Sequence, residues 1–148
     1  IYNSVERARG YRDALEKYRL PFDGQTMLVK AGMTFEAGAR VADDLVGRDI
    51  PFDAVFAFTD TIAIGLMNRL RELGRRIPED VAVASFSGTE LSTIVYPRLT
   101  TVEPPLFQMG EKAAGLILEK IRNHDCPDRT EVVNAEIRMR ESSGPPAP

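Results

Sequence analysis

Phe52-Asp53-Ala54-Val55-Phe56-Ala57-Phe58-Thr59-Asp60-Thr61 decides the fold of this chain. From Ala54 to Phe58 every residue is apolar, where a strand with one wet face would alternate. Such a run predicts a strand covered on both faces, as in a parallel sheet flanked by helices. Thr59 or Asp60 can cap the helix that follows, because a short side-chain oxygen accepts the free N–H groups of a first turn. That helix repeats apolar residues at Ile62, Ala63, Leu66, Met67, Leu70 and Leu73, and Gly74 supplies its stop. Val81-Ala82-Val83-Ala84-Ser85-Phe86 then reads as a second buried strand.

Toward the N-terminus, Val5, Ala8, Tyr11, Leu15 and Tyr18 mark one face of a helix from Ser4 to Arg19, broken by Pro21 and Gly24. Met27 to Val29 reads as a short strand. Thr34 caps a helix running to Gly47, with Glu36 favoured by the dipole of its first turn and Phe35, Ala39, Ala42, Leu45 and Val46 on its buried face. Toward the C-terminus, Ser87 to Thr93 forms a loop entering a short helix that stops near Pro97. Leu99 to Val102 is a short strand, Pro104-Pro105 start a helix from Leu106 to Arg122, and Asn123 to Arg129 form a polar turn. Glu131 to Met139 reads as the final strand. The alternation of strands and helices predicts an α/β fold, a parallel sheet with right-handed crossovers. Residues 1–141 make one cored unit, and 142–148, built of Ser, Gly, Pro and Ala, read as a disordered tail.

The chain has 148 residues, 43% hydrophobic and 28% charged, which suits one globular unit. Its net charge of −3 gives it no electrostatic means of holding nucleic acid by itself, since phosphate contacts need clustered Lys and Arg. Cys126 is alone, so an internal disulfide is impossible and a reducing cytoplasm fits best. No apolar run approaches the roughly 18 residues of a membrane helix, and no signal peptide opens the chain. Ile1 is not Met, so the natural product is expected to begin earlier. An enzyme finds little to work with. His124 sits in a polar turn with Cys126 and has no further ligand or orienting group nearby in sequence. Ser85-Phe86-Ser87-Gly88 lacks the first glycine of a nucleophile elbow, and no glycine loop that cradles phosphate is present. No catalysis, metal or cofactor is expected.

Ligands of open parallel sheets bind outside the carboxyl ends of the strands. Two junctions stand there: Phe58-Thr59-Asp60-Thr61 and Phe86-Ser87-Gly88-Thr89. Their hydroxyls, carboxylate and free backbone N–H groups could grip hydroxyls or an anion. Equally, Thr59, Asp60 and Ser87 could be plain helix caps.

Residues 52–65 resemble a segment of the lac-repressor family of regulators. So does Gly74-Arg75-Arg76-Ile77-Pro78-Glu79-Asp80-Val81, continuing to Phe86, and so does Tyr96-Pro97-Arg98-Leu99-Thr100-Thr101-Val102-Glu103 followed by Met109-Gly110. The opening Ser4-Val5-Glu6-Arg7-Ala8-Arg9-Gly10-Tyr11 is similar to the family helix that supplies an effector-binding arginine. The resemblance runs from Asn3 to Arg140. It implies a periplasmic-binding-protein-like domain of two lobes closing on a small ligand, of which this chain is mainly the C-terminal lobe. It also implies a helix-turn-helix head and most of a first lobe ahead of Ile1. The helix after Pro105 would belong to that other lobe. Taken alone, it is expected to expose a stripe of Leu106, Ala113, Leu116, Ile117 and the stem of Lys120, and to self-associate or rearrange.

Residue by residue, the resemblance makes Arg7 the effector contact, able to donate two parallel hydrogen bonds to hydroxyls, carboxylate or phosphate. Asp60 matches a frequent family acid. Met33 falls where the family often stacks an aromatic on the ligand, and Pro104 and Leu106 fall on the crossover wall of the pocket. Met33 could instead fill a gap in the core, and Pro104 and Leu106 could simply start a helix. Ser87 departs from the family: many members carry an aspartate there. A hydrogen bond to a charged group contributes about 1.5–3 kcal/mol against about 0.5–1.5 for a neutral one, so the change should weaken a neutral polyol and remove a repulsion against an anion. The expected effector is a sugar, sugar phosphate or sugar acid. Ile64, on the helix from Ile62 to Leu73, and Val95, between Leu91 and Tyr96, match parts of the family's dimer interface, although both could lie in the core. The partners so implied are the effector, a second copy, and DNA through the absent head, with no membrane. The rival reading is the solute-binding subunit of a sugar transporter, which shares the fold.

Overall fold

The computed structural model describes residues 2–48 and 51–144. In chain order the elements are α1 (Tyr2–Lys17), α2 (Gly24–Met27), α3 (Phe35–Gly47), β1 (Ala54–Ala57), α4 (Asp60–Glu72), β2 (Ala82–Phe86), α5 (Leu91–Ile94), β3 (Thr100–Glu103), α6 (Leu106–Arg122) and β4 (Glu136–Arg138), followed by a 3-10 turn, Glu141–Ser143. β1, β2 and β3 lie side by side in parallel, with Val55 opposite Val83 and Ser85 opposite Thr101. β4 closes the edge antiparallel, Ile137 opposite Val102. The α/β sheet expected from the apolar runs is present, with one antiparallel edge.

The helix caps act where the side-chain chemistry puts them. Thr34 accepts the Ala37 N–H at 3.1 Å and starts α3; Thr59 accepts the Ile62 N–H at 3.3 Å and starts α4. Leu66, Met67 and Leu70 of α4 are fully buried against Val83 and Leu99. Each such side chain contributes about 1.5–3 kcal/mol relative to exposure.

The face that α3 buries differs from the expected one. Ala37, Gly38, Ala42 and Leu45 are buried, whereas Phe35 is 44% exposed and Ala39 only half-buried. Backbone contact explains the rotation. A Cβ on Gly38 would stand 2.1 Å from the Ile62 carbonyl oxygen, and one on Gly65 would stand 1.9 Å from that of Phe35. α3 and α4 therefore cross main chain to main chain, and the Phe35 ring is left outside the contact.

Three further expectations need correction. Met27 to Val29 is not a strand. Asp23 accepts the Gln25 N–H at 2.9 Å and the Thr26 hydroxyl at 3.0 Å, which draws Met27 into the α2 turn, and no strand lies beside β1's free edge among the described residues. The final strand is shorter than Glu131 to Met139, because Glu131 pairs with Lys112 of α6 at 3.0 Å and only Glu136–Arg138 join the sheet. The tail does not start at 142. The buried Ser142 hydroxyl donates to the Val83 carbonyl at 2.6 Å and accepts the Thr100 N–H at 2.8 Å, stitching the 3-10 turn to β2 and β3. The rest of the expected tail, 145–148, lies outside the described residues.

The sheet face opposite α3 and α4 stays partly open: Phe56 is 45% exposed, so the double covering expected for β1 is incomplete in this chain. α6 is likewise without a buried residue, with Leu106 68%, Ile117 60% and Ile121 63% exposed. Apolar area of this kind associates in water. The isolated chain is expected to show concentration-dependent mass in sedimentation velocity, and Ile117→Glu with Ile121→Glu to abolish it; a wild-type chain monomeric at all concentrations would contradict this. No described helix is long and apolar enough to cross a membrane.

Candidate functional site

Arg7 leaves α1 toward the carboxyl end of the sheet. Its Nη1 donates to the Phe58 carbonyl at 2.7 Å, and its guanidinium carbon lies 4.1 Å from the centre of the Phe58 ring and 3.7 Å from that of Phe86. These rings follow β1 and end β2, so the sheet itself supplies the cradle. Stacking of a guanidinium on an aromatic face contributes about 0.5–2 kcal/mol according to its desolvation. Partial burial holds the Arg7 pKa below its ordinary value, yet a guanidinium so placed stays charged. Among the described residues no carboxylate lies within ion-pair distance of it. One of its five N–H groups is committed to Phe58; the others give it a held cation with donors to spare.

Asp60, the first residue of α4, has a different fate. It is fully buried, and both oxygens are taken. Oδ1 accepts the hydroxyls of Ser85 at 2.6 Å and Thr101 at 2.8 Å, while Oδ2 accepts the Thr89 N–H at 2.6 Å and the Thr89 hydroxyl at 2.7 Å. A carboxylate offers about four acceptor sites, so none remains for a ligand. The ligand-contact role that the sequence suggested for Asp60 is corrected accordingly: it is an internal anchor. Burial works against its charge, but the hydroxyls of Ser85, Thr89 and Thr101 and the Thr89 amide outweigh this and hold its pKa below the ordinary carboxylate value. The α4 N-terminus favours the same charge.

The loop after β2 is tied to this anchor. Gly88 donates its N–H to Thr101 Oγ1 at 3.2 Å, and Thr101 in turn donates to Asp60. Gly88 has φ 66°, and a Cβ there would come within 2.3 Å of Glu103 Cγ, so only glycine fits. Glu103 accepts from Arg138 Nε at 3.0 Å and Arg140 Nη2 at 2.8 Å. Burial opposes the Glu103 charge, and the two arginines outweigh it and lower its pKa. Ser87 is not a helix cap. Its N–H donates to the Val102 carbonyl at 3.1 Å, its hydroxyl makes no hydrogen bond among the described residues, and α5 begins only at Leu91.

The remaining expected site residues separate into near and far. Thr59 is half-buried beside Phe58 and caps α4. Met33, 62% exposed, precedes α3, whose N-terminal half meets that of α4 through Gly38 and Gly65. Pro104 is half-buried after β3, and Leu106 starts α6 on the outside. Ile64 is 8% exposed within the core, so its surface is spent inside the chain and it cannot form the centre of an interface. Val95 also packs partly on the core, while its neighbours Ile94 and Tyr96 are 72% and 76% exposed. An open cavity of about 250 Å³ lies elsewhere, between Val29–Gly32 and α3, lined by Lys30, Arg40 and Asp44.

Phe58, Phe86 and Thr89 fall within the two junctions read from sequence, whereas Ser85 and Thr101 were not singled out as site residues. The available signal was Ser85, a polar residue within the otherwise apolar β2, where an unpartnered buried hydroxyl would be costly; the polar β3 gave no such signal for Thr101.

The sequence model of the periplasmic binding protein-like domain matches residues 2–143. The HTH-type transcriptional repressor PurR of Vibrio atlanticus is 36% identical over 138 residues, which is 93% of this chain and 41% of that protein. Among solved structures, the transcriptional regulator CelR in complex with cellobiose superposes with a TM-score of 0.87 at 32% identity, over 93% of this chain and 42% of the other. A sugar-binding regulator of the LacI family from Escherichia coli, complexed with phosphate, gives 0.85 at 27% identity, over 97% of this chain and 51% of the other. The chain spans about two fifths of the length of the curated relatives it matches. It belongs to the LacI family of transcriptional regulators, and covers the C-terminal part of the effector-binding domain.

Proposed function

We propose that this chain is the effector-sensing and dimerising part of a DNA-binding transcriptional regulator, and that its effector is a small sugar derivative carrying an acidic group. The observation that carries the reading is Arg7: a guanidinium clamped between two rings, with free donors and no carboxylate beside it. Asp60, the acid that would otherwise have favoured a neutral polyol, is consumed internally, and Ser87 presents a hydroxyl where the resemblance led one to expect an acid. Neighbours in complex with cellobiose and with phosphate make either a neutral or an anionic ligand compatible with the family, and it is the local charge at Arg7 that favours the anion. Thr59, Ser87, Met33, Pro104 and Leu106 complete the proposed wall. Closure of two lobes on the effector would reorient DNA-binding heads supplied by the rest of the protein, in the cytoplasm. Dimerisation would use the α5 end, where Ile94 and Tyr96 flank Val95. No catalytic step is assigned.

The test is titration calorimetry on the complete protein that contains both lobes, with ribose and ribose 5-phosphate, and with glucose, glucose 6-phosphate and gluconate. The anions are expected to bind more tightly than their neutral counterparts, and Arg7→Ala to weaken them about 100-fold, since a bidentate charged contact contributes about 3 kcal/mol. Tighter binding of the neutral sugars would overturn the anionic reading, and binding of none of the five would overturn this choice of effector class. A helix-turn-helix encoded upstream of Ile1 without a signal peptide supports the regulator. A signal peptide leading straight into a binding lobe supports a transporter subunit.

A further inference from the structure

We infer that Asp60, through Thr101, is a positioning residue for the Ser87–Thr89 loop of the effector site, holding it against the sheet without touching the ligand. The inference rests on the effector reading above. Its basis is where the donors come from. Ser85 belongs to β2, Thr89 to the loop that follows it and Thr101 to β3, so one buried carboxylate at the start of α4 ties the loop to both strands beside it. Both loop amides that follow Ser87 are bound to this unit: that of Thr89 directly, and that of Gly88 by way of the Thr101 oxygen. Glu103 packs under Gly88 and leaves the loop no room to sink further.

The loop also sits beside the cation. Phe86, immediately ahead of Ser87, stacks on Arg7, and Phe58, two residues before Asp60, supplies the second ring and the carbonyl. A shift of the loop therefore changes the distance between the Ser87 hydroxyl and the Arg7 fork, which is the spacing a ligand would read. The hydrogen-bonded unit fixes that spacing before any ligand arrives, and preorganisation of this sort raises affinity by removing the ordering cost from the binding step.

The experiment uses the complete protein that contains both lobes and three variants of it. Thr101→Val keeps the shape and removes the hydroxyl that links Gly88 to Asp60. Asp60→Ala removes the anchor itself. Leu70→Ala is a control that destabilises the core on α4, away from the loop. Hydrogen exchange is read at the Gly88 and Thr89 amides, and calorimetry uses whichever of ribose 5-phosphate, glucose 6-phosphate or gluconate binds wild type best. In Thr101→Val, exchange at both amides is expected to rise at least tenfold with Val83 unchanged, and affinity to fall about tenfold, the equivalent of one neutral hydrogen bond. Leu70→Ala should leave affinity within about twofold, because its loss of stability does not reach the loop. Asp60→Ala, if it folds, should exceed Thr101→Val in both readouts. Unchanged exchange at Gly88 and Thr89 in Thr101→Val would overturn the clamp. Faster exchange with unchanged affinity would overturn the positioning role while leaving the effector reading intact. Wild type that binds no anion of the panel overturns both, whatever the exchange shows.

Discussion

Gly65→Ala is expected to destabilise the chain by about 3 kcal/mol, the upper end of what overpacking a well-fitted core costs. The sign is decided by two opposing effects. Alanine favours a helix over glycine by about 1 kcal/mol, so the substitution would stabilise α4 were the site open. It is not open. The new Cβ would stand 1.9 Å from the Phe35 carbonyl oxygen and 2.7 Å from its carbon, and these are backbone atoms that cannot swing aside. α3 must move away from α4, and the contacts of Ala42 and Leu45 loosen with it. Gly38→Ala meets the same crossing from the other side, 2.1 Å from the Ile62 oxygen. Gly115→Ala on α6 is the internal control, since nothing lies within 4 Å of its Cβ. It should raise stability by up to about 1 kcal/mol. Urea unfolding followed by circular dichroism measures all three. Equal midpoints for Gly65→Ala and Gly115→Ala would show that the crossing is not as tight as described.

Asp60→Ala should lower stability by about 3–5 kcal/mol. Ser85 and Thr101 are fully buried and each would keep a hydroxyl without its acceptor, and the Thr89 amide would lose its partner. Every buried donor left unsatisfied costs about 1–3 kcal/mol, partly relieved if water enters the space. Acid adds a second signature. The folded-state pKa of Asp60 lies below its ordinary value of 3.8, held there by hydrogen bonds from Ser85, Thr89 and Thr101 against the opposing effect of burial. The folded state thus binds fewer protons than the unfolded chain, and its advantage is fully present above that value and lost as pH falls through the lower, folded pKa. Asp80, held at about 2 by Arg76, loses its contribution across a similar window. Unfolding midpoints measured between pH 7 and pH 2 should fall for wild type below about pH 4, with a shallower fall in Asp60→Asn. A variant profile parallel to wild type would mean that Asp60 titrates alike in both states, against the four short hydrogen bonds.

Much of the architecture was legible because the signals are local. Thr34 and Thr59 cap their helices by reaching N–H groups three residues on, and the two apolar runs of β1 and β2 pair with each other in parallel. Resemblance to a family motif named Arg7 as a candidate, and the structure sets its guanidinium against Phe58 and Phe86 at the carboxyl end of the sheet. Asp60 was legible as important but not in its role. A cap, a ligand contact and an internal anchor all ask for the same short acid at a helix start, and they differ only in which distant donors face it. Met27 to Val29 misled for a related reason: an apolar run becomes a strand only when another strand lies beside it to pair its backbone, and here Asp23 offered Met27 a helical turn instead.

Pattern along the chain was enough for the α/β class, the main helix starts, the net acidic balance and the family resemblance. Those follow from side-chain period, capping chemistry and net charge, each of which acts within a few residues or over the whole chain. Long-range packing was needed to show that two rings clamp Arg7, that Asp60 faces inward, that Ile64 belongs to the core and that Ser142 is stitched beneath the sheet. Each of these depends on groups distant in sequence, as far apart as Arg7 and Phe86, meeting at hydrogen-bonding or van der Waals distance, where attraction decays within a few ångströms and a small shift exchanges one partner for another.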